Sequence, residues 1–228
     1  MWERQKRLIP ECFISKIKTH MEISVQNRAD ALILHREIIM NYAEIKQYDI
    51  ANGPGIRISL FVSGCTHHCK GCFNAETWDF NYGNPFTDET INTIIEYMKP
   101  SYIKGITLLG GDPMEPSNQE ALLPLLARLK ETYPDKNIWC FTGYTFEDDI
   151  LGKMIHEYPF TSKFLSYIDV LVDGEYIAEL YNVNLKFKGS SNQKTILVKE
   201  SLESGKTILW EPEEYVKVDV KTNSSTGI

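Results

Sequence analysis

No stretch of these 228 residues approaches the ~20 consecutive apolar side chains that a bilayer span requires. The charged first residues contain no continuous apolar segment of the kind a secretory signal carries. Basic residues are in the minority, 24 Lys and Arg against 31 Asp and Glu, for a formal charge of −7. That balance argues against a nucleic-acid backbone as partner, though not against a nucleotide cofactor held by main-chain amides. Cysteine is scarce as well. Five of them, three crowded together, suit a reducing compartment better than a disulfide framework, so the cytoplasm is the expected location. Internal repeats and low-complexity segments are lacking. Gly205-Lys206-Thr207 hints at a phosphate-binding loop, but Glu200 stands where the upstream glycine is required, and that chemistry is excluded. What remains is an ordinary globular composition, 43% hydrophobic and 24% charged, long enough to bury one sizeable core.

Against that background the run Gly64-Cys65-Thr66-His67-His68-Cys69-Lys70-Gly71-Cys72 stands out. Its C-x₃-C-x₂-C spacing lets one short loop turn three thiolates toward a single centre, and thiolates favour zinc and iron–sulfur clusters. A [4Fe–4S] cube takes four ligands, yet the only other cysteines, Cys12 and Cys140, are each alone. One iron would lack a protein ligand, and open coordination positions are where metals do chemistry. The rival is zinc held by three cysteines and His67 or His68. Structural zinc sites bring separated ligand pairs together, however, and a histidine wedged between two ligands reaches the same ion poorly. The cluster is favoured, and both histidines are expected to be exposed. Cys140, in an apolar run, reads as a buried small hydrophobe.

Beyond Met40 the chain alternates. Ile56–Val62, Ile106–Leu109, Ile138–Phe141, Val170–Val172 and Thr195–Val198 read as strands. Ile91, Ile94, Ile95 and Met98 share one helical face, with Thr87 as N-cap and Pro100 closing the segment. Ser117 and Glu120 stand at capping-box spacing before a second helix through Leu122–Leu129. This order predicts an α/β protein of parallel β/α units, with the active site at the carboxyl ends of the strands. Thr207–Trp210 and Tyr215–Val220 look like strands of a hairpin, and Thr222 to Ile228 a frayed end.

The cysteine run, with Gly53-Pro54-Gly55-Ile56-Arg57 before it and Cys72-Phe73-Asn74-Ala75-Glu76-Thr77-Trp78 after it, resembles the radical S-adenosylmethionine enzymes. In order follow Gly110-Gly111-Asp112-Pro113, Phe141-Thr142-Gly143-Tyr144, Asp173-Gly174 and Gly189-Ser190-Ser191-Asn192-Gln193. Together these look like the activases of glycyl-radical enzymes, in particular those serving the anaerobic ribonucleoside-triphosphate reductase. The likeness runs from about Met40 to Leu202. It divides the chain into an N-terminal extension 1–39 upstream of a start at Met40, a radical S-adenosylmethionine domain 40–202 and a tail 203–228. A helical arm over Ala31 to Ile39 is the alternative for the first segment.

The resemblance implies an open, partial β/α barrel and a [4Fe–4S] cluster on Cys65, Cys69 and Cys72. It implies S-adenosylmethionine on the fourth iron, cleaved by one electron to methionine and a 5′-deoxyadenosyl radical that takes a hydrogen from a glycine Cα. Gly71 stands where the superfamily often has an aromatic, which leaves main-chain contact from Gly71, Cys72 and Phe73 to the cofactor. Gly110 and Gly111 would let the cofactor approach closely, and exposed carbonyls there or Asp112, often Glu in the superfamily, would receive its ammonium. Thr142, Gly143 and Tyr144 would line the adenosine pocket, with Tyr144 equally readable as a core aromatic. The two polar loops Asp173-Gly174 and Gly189–Gln193 are contacts to cofactor or substrate, or solvated turns. Lys194 would neutralise a carboxylate, and Arg57 has no assignable role. The implied partners are the large reductase subunit and a low-potential donor such as flavodoxin. Other readings are an activase of another glycyl-radical enzyme such as pyruvate formate-lyase, a small-molecule radical enzyme, and a non-catalytic zinc module.

Overall fold

The run Ile56-Arg57-Ile58-Ser59-Leu60-Phe61-Val62 alternates apolar residues with polar and aromatic ones, and from Arg57 onward both sets are buried. A strand hidden on both faces belongs in the middle of a covered sheet, and the computed structural model, which describes residues 40–212, places it there. A seven-stranded sheet runs in the order β3-β1-β2-β4-β5-β6-β7. Its strands are β1 (Asn41–Asp49), β2 (Ile56–Val62), β3 (Asn84–Pro85), β4 (Ile103–Gly110), β5 (Asn137–Phe141), β6 (Val170–Asp173) and β7 (Lys194–Leu197). The four central strands β2, β4, β5 and β6 are parallel, as the alternation predicts. β1 and β3 are antiparallel additions at one side, and β7 runs antiparallel to β6 at the other.

Register lines up Leu60, Leu108, Cys140, Leu171 and Ile196 in one row across five strands, all fully buried. Cys140 is thus a small apolar member of that row. On the other face Phe61 pairs with Leu109, while Trp139 packs with Val170 and Val172 and meets the Phe187 and Trp210 rings edge-on at centroid distances of 5.6 and 5.1 Å.

The helices follow their punctuation with one correction. α1 (Asp88–Tyr97) starts at a reciprocal capping box between Thr87 and Thr90 and buries Ile91, Ile94 and Ile95. α2 (Pro116–Thr132) does not open at Ser117. It starts at Pro116, whose fixed φ and missing N–H suit the first helical position. The preceding Glu115 makes no side-chain cap, because its carboxylate is turned away to Thr66. A π-helical stretch, Phe146–Met154, is opened by mutual bonds between Thr145 and Asp149. α3 (Thr161–Leu165) and α4 (Val198–Ser204) follow, and α4 ends at Gly205 in the left-handed conformation, φ 67°. That residue of the false phosphate loop is therefore a helix terminator.

Other sequence expectations shift as well. β1 was hidden because register irregularities between Tyr42 and Glu44, and between Lys46 and Asp49, spoil its alternation. Of the expected hairpin, only Thr207–Trp210 falls among the described residues. It lies along β7 through the bridge Ile196↔Leu209 and the bonds Leu197 N to Ile208 O and Trp210 N to Thr195 O. Residues 1–39, Tyr215–Val220, Thr222–Ile228 and Cys12 lie outside the described residues.

Arg57 proves to be a staple. Fully buried, it donates from Nε to Thr107 Oγ1 (2.8 Å), from Nη1 to Asn137 Oδ1 (2.7 Å) and from Nη2 to Ile106 O (2.7 Å), joining β2, β4 and β5 near their amino ends. Burial pulls its pKa down to about 10, against the raising effect of Asp169 and Asp49, so it stays charged at neutral pH. Arg57→Met should leave these acceptors unsatisfied and lower the unfolding free energy by about 3 kcal/mol. Urea denaturation of the metal-free protein checks this, and an unchanged midpoint would refute the staple.

Candidate metal centre

β2, β4, β5 and β6 run the same way, so their carboxyl ends share one rim. The cysteine loop leaves β2 there, Gly110-Gly111-Asp112 leaves β4, Thr142-Gly143 leaves β5 and Asp173-Gly174 ends β6. Gly189–Gln193 does not follow a strand but precedes β7. It reaches the same rim because β7 is antiparallel and pairs Lys194 with Asp173.

The cysteine loop is held by main chain at van der Waals limits. Gly64 N donates to Thr77 O (2.7 Å), Cys65 N to Trp78 O (3.2 Å), Asp112 N to Gly64 O (2.8 Å) and Gly111 N to Val62 O (2.7 Å). A Cβ on Gly111 would stand 2.5 Å from Gly64 O and 2.9 Å from Thr77 O. The cysteine loop fills the space that a Gly111 side chain would need, and the Gly111 main chain also lines the cavity that the cysteines border. Asn118, reaching up from α2 and buried, ties the same loops by donating from Nδ2 to Ser63 O (3.0 Å) and Asp112 O (2.9 Å).

Charge organises the next layer. Thr66 donates from N and Oγ1 to Glu115 Oε1 at 2.8 and 2.6 Å. His67 is not an exposed loop residue. Its ring is packed edge-on against Tyr144 and under Gly143, where a Cβ would come within 2.5 Å of it. Its Nδ1 lies 3.0 Å from Glu175 Oε1. Its Nε2 lies 3.2 Å from Asp112 Oδ2, an ion-pair distance without hydrogen-bond alignment. Burial opposes charge on this imidazole, but Asp112 and then Glu175 outweigh it and push the pKa up to about 9. His68 is exposed, as expected, beside the Trp78 ring.

Asp112 is buried and its oxygens are engaged within the protein. Oδ2 accepts from Thr142 Oγ1 (2.9 Å) and Gly143 N (2.8 Å), and Oδ1 accepts from Met114 N (2.8 Å). It locks the β4 and β5 loops together beneath the cysteine loop. Tyr144 lines a separate cavity of about 460 Å³, with Glu115, Asp149 and Lys153, on the other side of the cysteine loop. Burial, its largest influence, raises the Tyr144 hydroxyl pKa well above the usual value.

Cys65, Cys69 and Cys72 line one cavity of about 620 Å³, together with Phe73, Gly110, Gly111, Asp112, Thr142 and Gly143. Gly71, with φ 78°, turns the loop beside Ala178 and Tyr176, and is not among the lining residues. Sequence reading missed the cavity's apolar wall of Phe61, Leu109 and Phe141, and Lys46 of β1. The signal was available for the first three, which stand one position out of step with the fully buried Leu60, Leu108 and Cys140. The Gly189–Gln193 run is a latch more than a solvated turn. Gln193 accepts at Oε1 from Gly189 N (2.8 Å) and Ser190 N (3.1 Å) and donates from Nε2 to Gly174 O (2.9 Å). Lys194 pairs with Glu147 and stands 3.5 Å from Asp173 Oδ2.

The donor set fits a cluster. Among the described residues no three His, Cys, Asp or Glu side chains converge as ligands of a single ion do. The three cysteines instead line one cavity, which suits a cube whose iron corners are separate points, and His67 is turned to carboxylates. Burial and then Asp112 push the Cys65 pKa up to about 12, against N–H bonds to its sulfur from His67 and His68. Burial likewise raises Cys69, against an N–H bond from Tyr176. Asn74 N donates to Cys72 Sγ at 3.4 Å. A bound metal deprotonates its thiols outright, and such N–H···S bonds then tune it.

Residues 51–196 match the family described as a 4Fe-4S single cluster domain. The anaerobic ribonucleoside-triphosphate reductase-activating protein of Vibrio cholerae is 46% identical over 158 residues, covering 68% of this chain and 96% of that protein. The protein of the same name from Haemophilus influenzae is 46% identical over 156 residues, again 68% and 96%. That of Enterobacteria phage T4 is 42% identical over 155 residues, 68% of this chain and 92% of its own.

Gly111→Ala should cost the protein its iron, because the added methyl drives the β4 loop off the cysteine loop. Iron and labile sulfide after anaerobic reconstitution measure this; full iron with weakened cofactor binding would return Gly111 to the role the sequence suggested.

Proposed function

Because this chain belongs to the family of anaerobic ribonucleoside-triphosphate reductase-activating proteins, we propose that it installs a glycyl radical on that reductase by reductive cleavage of S-adenosylmethionine. Activation of anaerobic ribonucleotide reductase is its function, and a 4Fe–4S cluster domain carries it. The observation behind the mechanism is that Cys65, Cys69 and Cys72 line one cavity with the glycine loops, and that Cys140, the other described cysteine, does not. When bound there, the cluster and the sulfonium cofactor supply an electron and a carbon radical that the polypeptide itself lacks.

The chain's own residues have definable tasks. Cys65, Cys69 and Cys72 would hold the cluster by three of its irons, and the fourth would be open to the cofactor's amino and carboxylate groups. Gly110 and Gly111, which have only main chain to offer, face the cavity, and we assign the cofactor's ammonium to that main chain in place of the engaged Asp112. Thr142 and Gly143 would border the adenosine, with Cys72 and Phe73 opposite. Tyr144 and Gly71 then act at one remove, by packing the loop. Phe61, Leu109 and Phe141 keep water from the reacting end.

The same reading extends to the fold, the domains and the partners. The sheet ends at the edge strands β3 and β7 without closing, and Phe61, Leu109 and Phe141 on one of its faces line the cavity, which supports reading it as an open, partial β/α barrel. Residues 40–202 would form the radical S-adenosylmethionine domain, with 1–39 an extension and 203–228 a tail. Flavodoxin or a similar low-potential donor would supply the electron, in the cytoplasm. None of the helices among the described residues is long and apolar enough to cross a membrane.

Cys65→Ala, Cys69→Ala and Cys72→Ala should each reduce 5′-deoxyadenosine formation to background, whereas Cys12→Ala and Cys140→Ala should retain it; equal loss at all five refutes the assignment. Mixed anaerobically with the reductase and a reductant, the reconstituted protein should give a glycyl-type doublet in electron paramagnetic resonance. A silent spectrum there, with a doublet on pyruvate formate-lyase, would move the function to that enzyme. Colourless protein holding zinc would remove the radical chemistry altogether.

A further inference from the structure

The cavity mouth is apolar on one side and water-exposed. Phe73 is 76% exposed, Val183 77%, Tyr181 53%, Leu180 41% and Ile177 38%. Single exposed apolar residues are unremarkable, but these five lie together. The Phe73 ring is 5.5 Å from that of Tyr176, and Ala178 packs on Gly71 of the cysteine loop. Phe73, Tyr181 and Val183 line the cavity, whereas Ile177 and Leu180 do not. The main chain of the collar is also held in place. Ile177 N donates to Ser190 Oγ (3.2 Å), Ser191 N donates to Leu180 O (3.0 Å), and Tyr181 bridges to Ser190, which is itself fully buried in the Gln193 latch. A contiguous apolar patch kept in water by a fixed frame marks a surface that a partner covers.

Resting on the function proposed above, we propose that this collar, Phe73 with residues 177–183, is the docking surface for the reductase, and that Ile177 and Leu180 bind it without touching the cofactor. Two proteins must reach this site, and their chemistry separates them. A hydrogen atom passes only between groups at contact distance, so the glycine-bearing segment must enter by the mouth that the collar borders. An electron needs no such contact and can enter the cluster through intervening protein from another face. The apolar rim, continuous with the cavity wall, therefore suits the partner whose chain goes in.

The test uses the full-length reconstituted protein carrying Ile177→Asp and Leu180→Asp, with dithionite as reductant so that no protein donor takes part. The reductase concentration giving half-maximal glycyl radical should rise tenfold or more, while 5′-deoxyadenosine formation without reductase stays within twofold of wild type. Leu180→Met alone should behave as wild type, and Leu180→Ser alone should show a smaller rise in the same direction. An unchanged half-saturating concentration in the double variant overturns the proposal. So does a defect that appears only when flavodoxin replaces dithionite, since the collar would then belong to the donor. A wild-type protein that cleaves S-adenosylmethionine yet never labels the reductase overturns the functional reading instead, and shows this without any variant.

Discussion

Close approach of two main-chain segments governs this molecule. Val62 to Cys65 and Gly110 to Asp112 lie against each other with Gly111 N on Val62 O and Asp112 N on Gly64 O, closer than any side chain on Gly111 would permit. Parallel neighbours β2 and β4 deliver both segments to one rim, and the register Val62↔Gly110 sets their height. The three thiols, the Asp112 lock and the Asn118 tie all take their positions from that contact. Without it the cysteines would be three thiols on a flexible loop.

Electrostatics explains why so much structure surrounds a short loop. Glu115 grips Thr66, while Asp112 and Glu175 flank His67, so carboxylates hold the cysteine loop from two sides. The same negative charge, added to burial, disfavours a bare thiolate at Cys65. Cys65 and Cys69 therefore favour the neutral thiol in the absence of a metal. Binding and deprotonation become one event. The polar groups at the opposite end of the sheet have a different purpose. Arg57, Thr107 and Asn137 satisfy one another across three strands and close the base, leaving the apolar wall of Phe61, Leu109 and Phe141 for the reacting end.

The sequence was most informative where chemistry demands a residue type at a spacing. The three cysteines, the strand Ile56–Val62, the Thr87 cap and the buried Cys140 could all be read directly. It misled where a residue's partner lies far along the chain. Ser117 and Glu120 match a capping box, yet Pro116 begins the helix and Glu115 turns to Thr66, 49 positions away. His67 was expected in water because, wedged between two cysteines, it reaches their ion poorly, whereas its neighbours in space are Asp112, Glu175 and Tyr144. β1 and the π-helical stretch escaped notice because bulges and a wide turn erase the periodicity on which such reading depends.

Composition and local pattern by themselves determined an α/β chain with a three-thiol loop at a strand end, because cysteine spacing and side-chain periodicity are properties of short segments. Tertiary structure alone decided the rest: that Gly111 serves the cysteine loop, that Asp112 is a lock, that Tyr144 faces away, and that an apolar collar borders the mouth. The reason is physical. A glycine is required by whatever atom would collide with its missing Cβ, and a carboxylate is engaged or free according to the donors around it. Those atoms arrive from strands and loops 30 to 100 residues distant, brought together only when the sheet assembles.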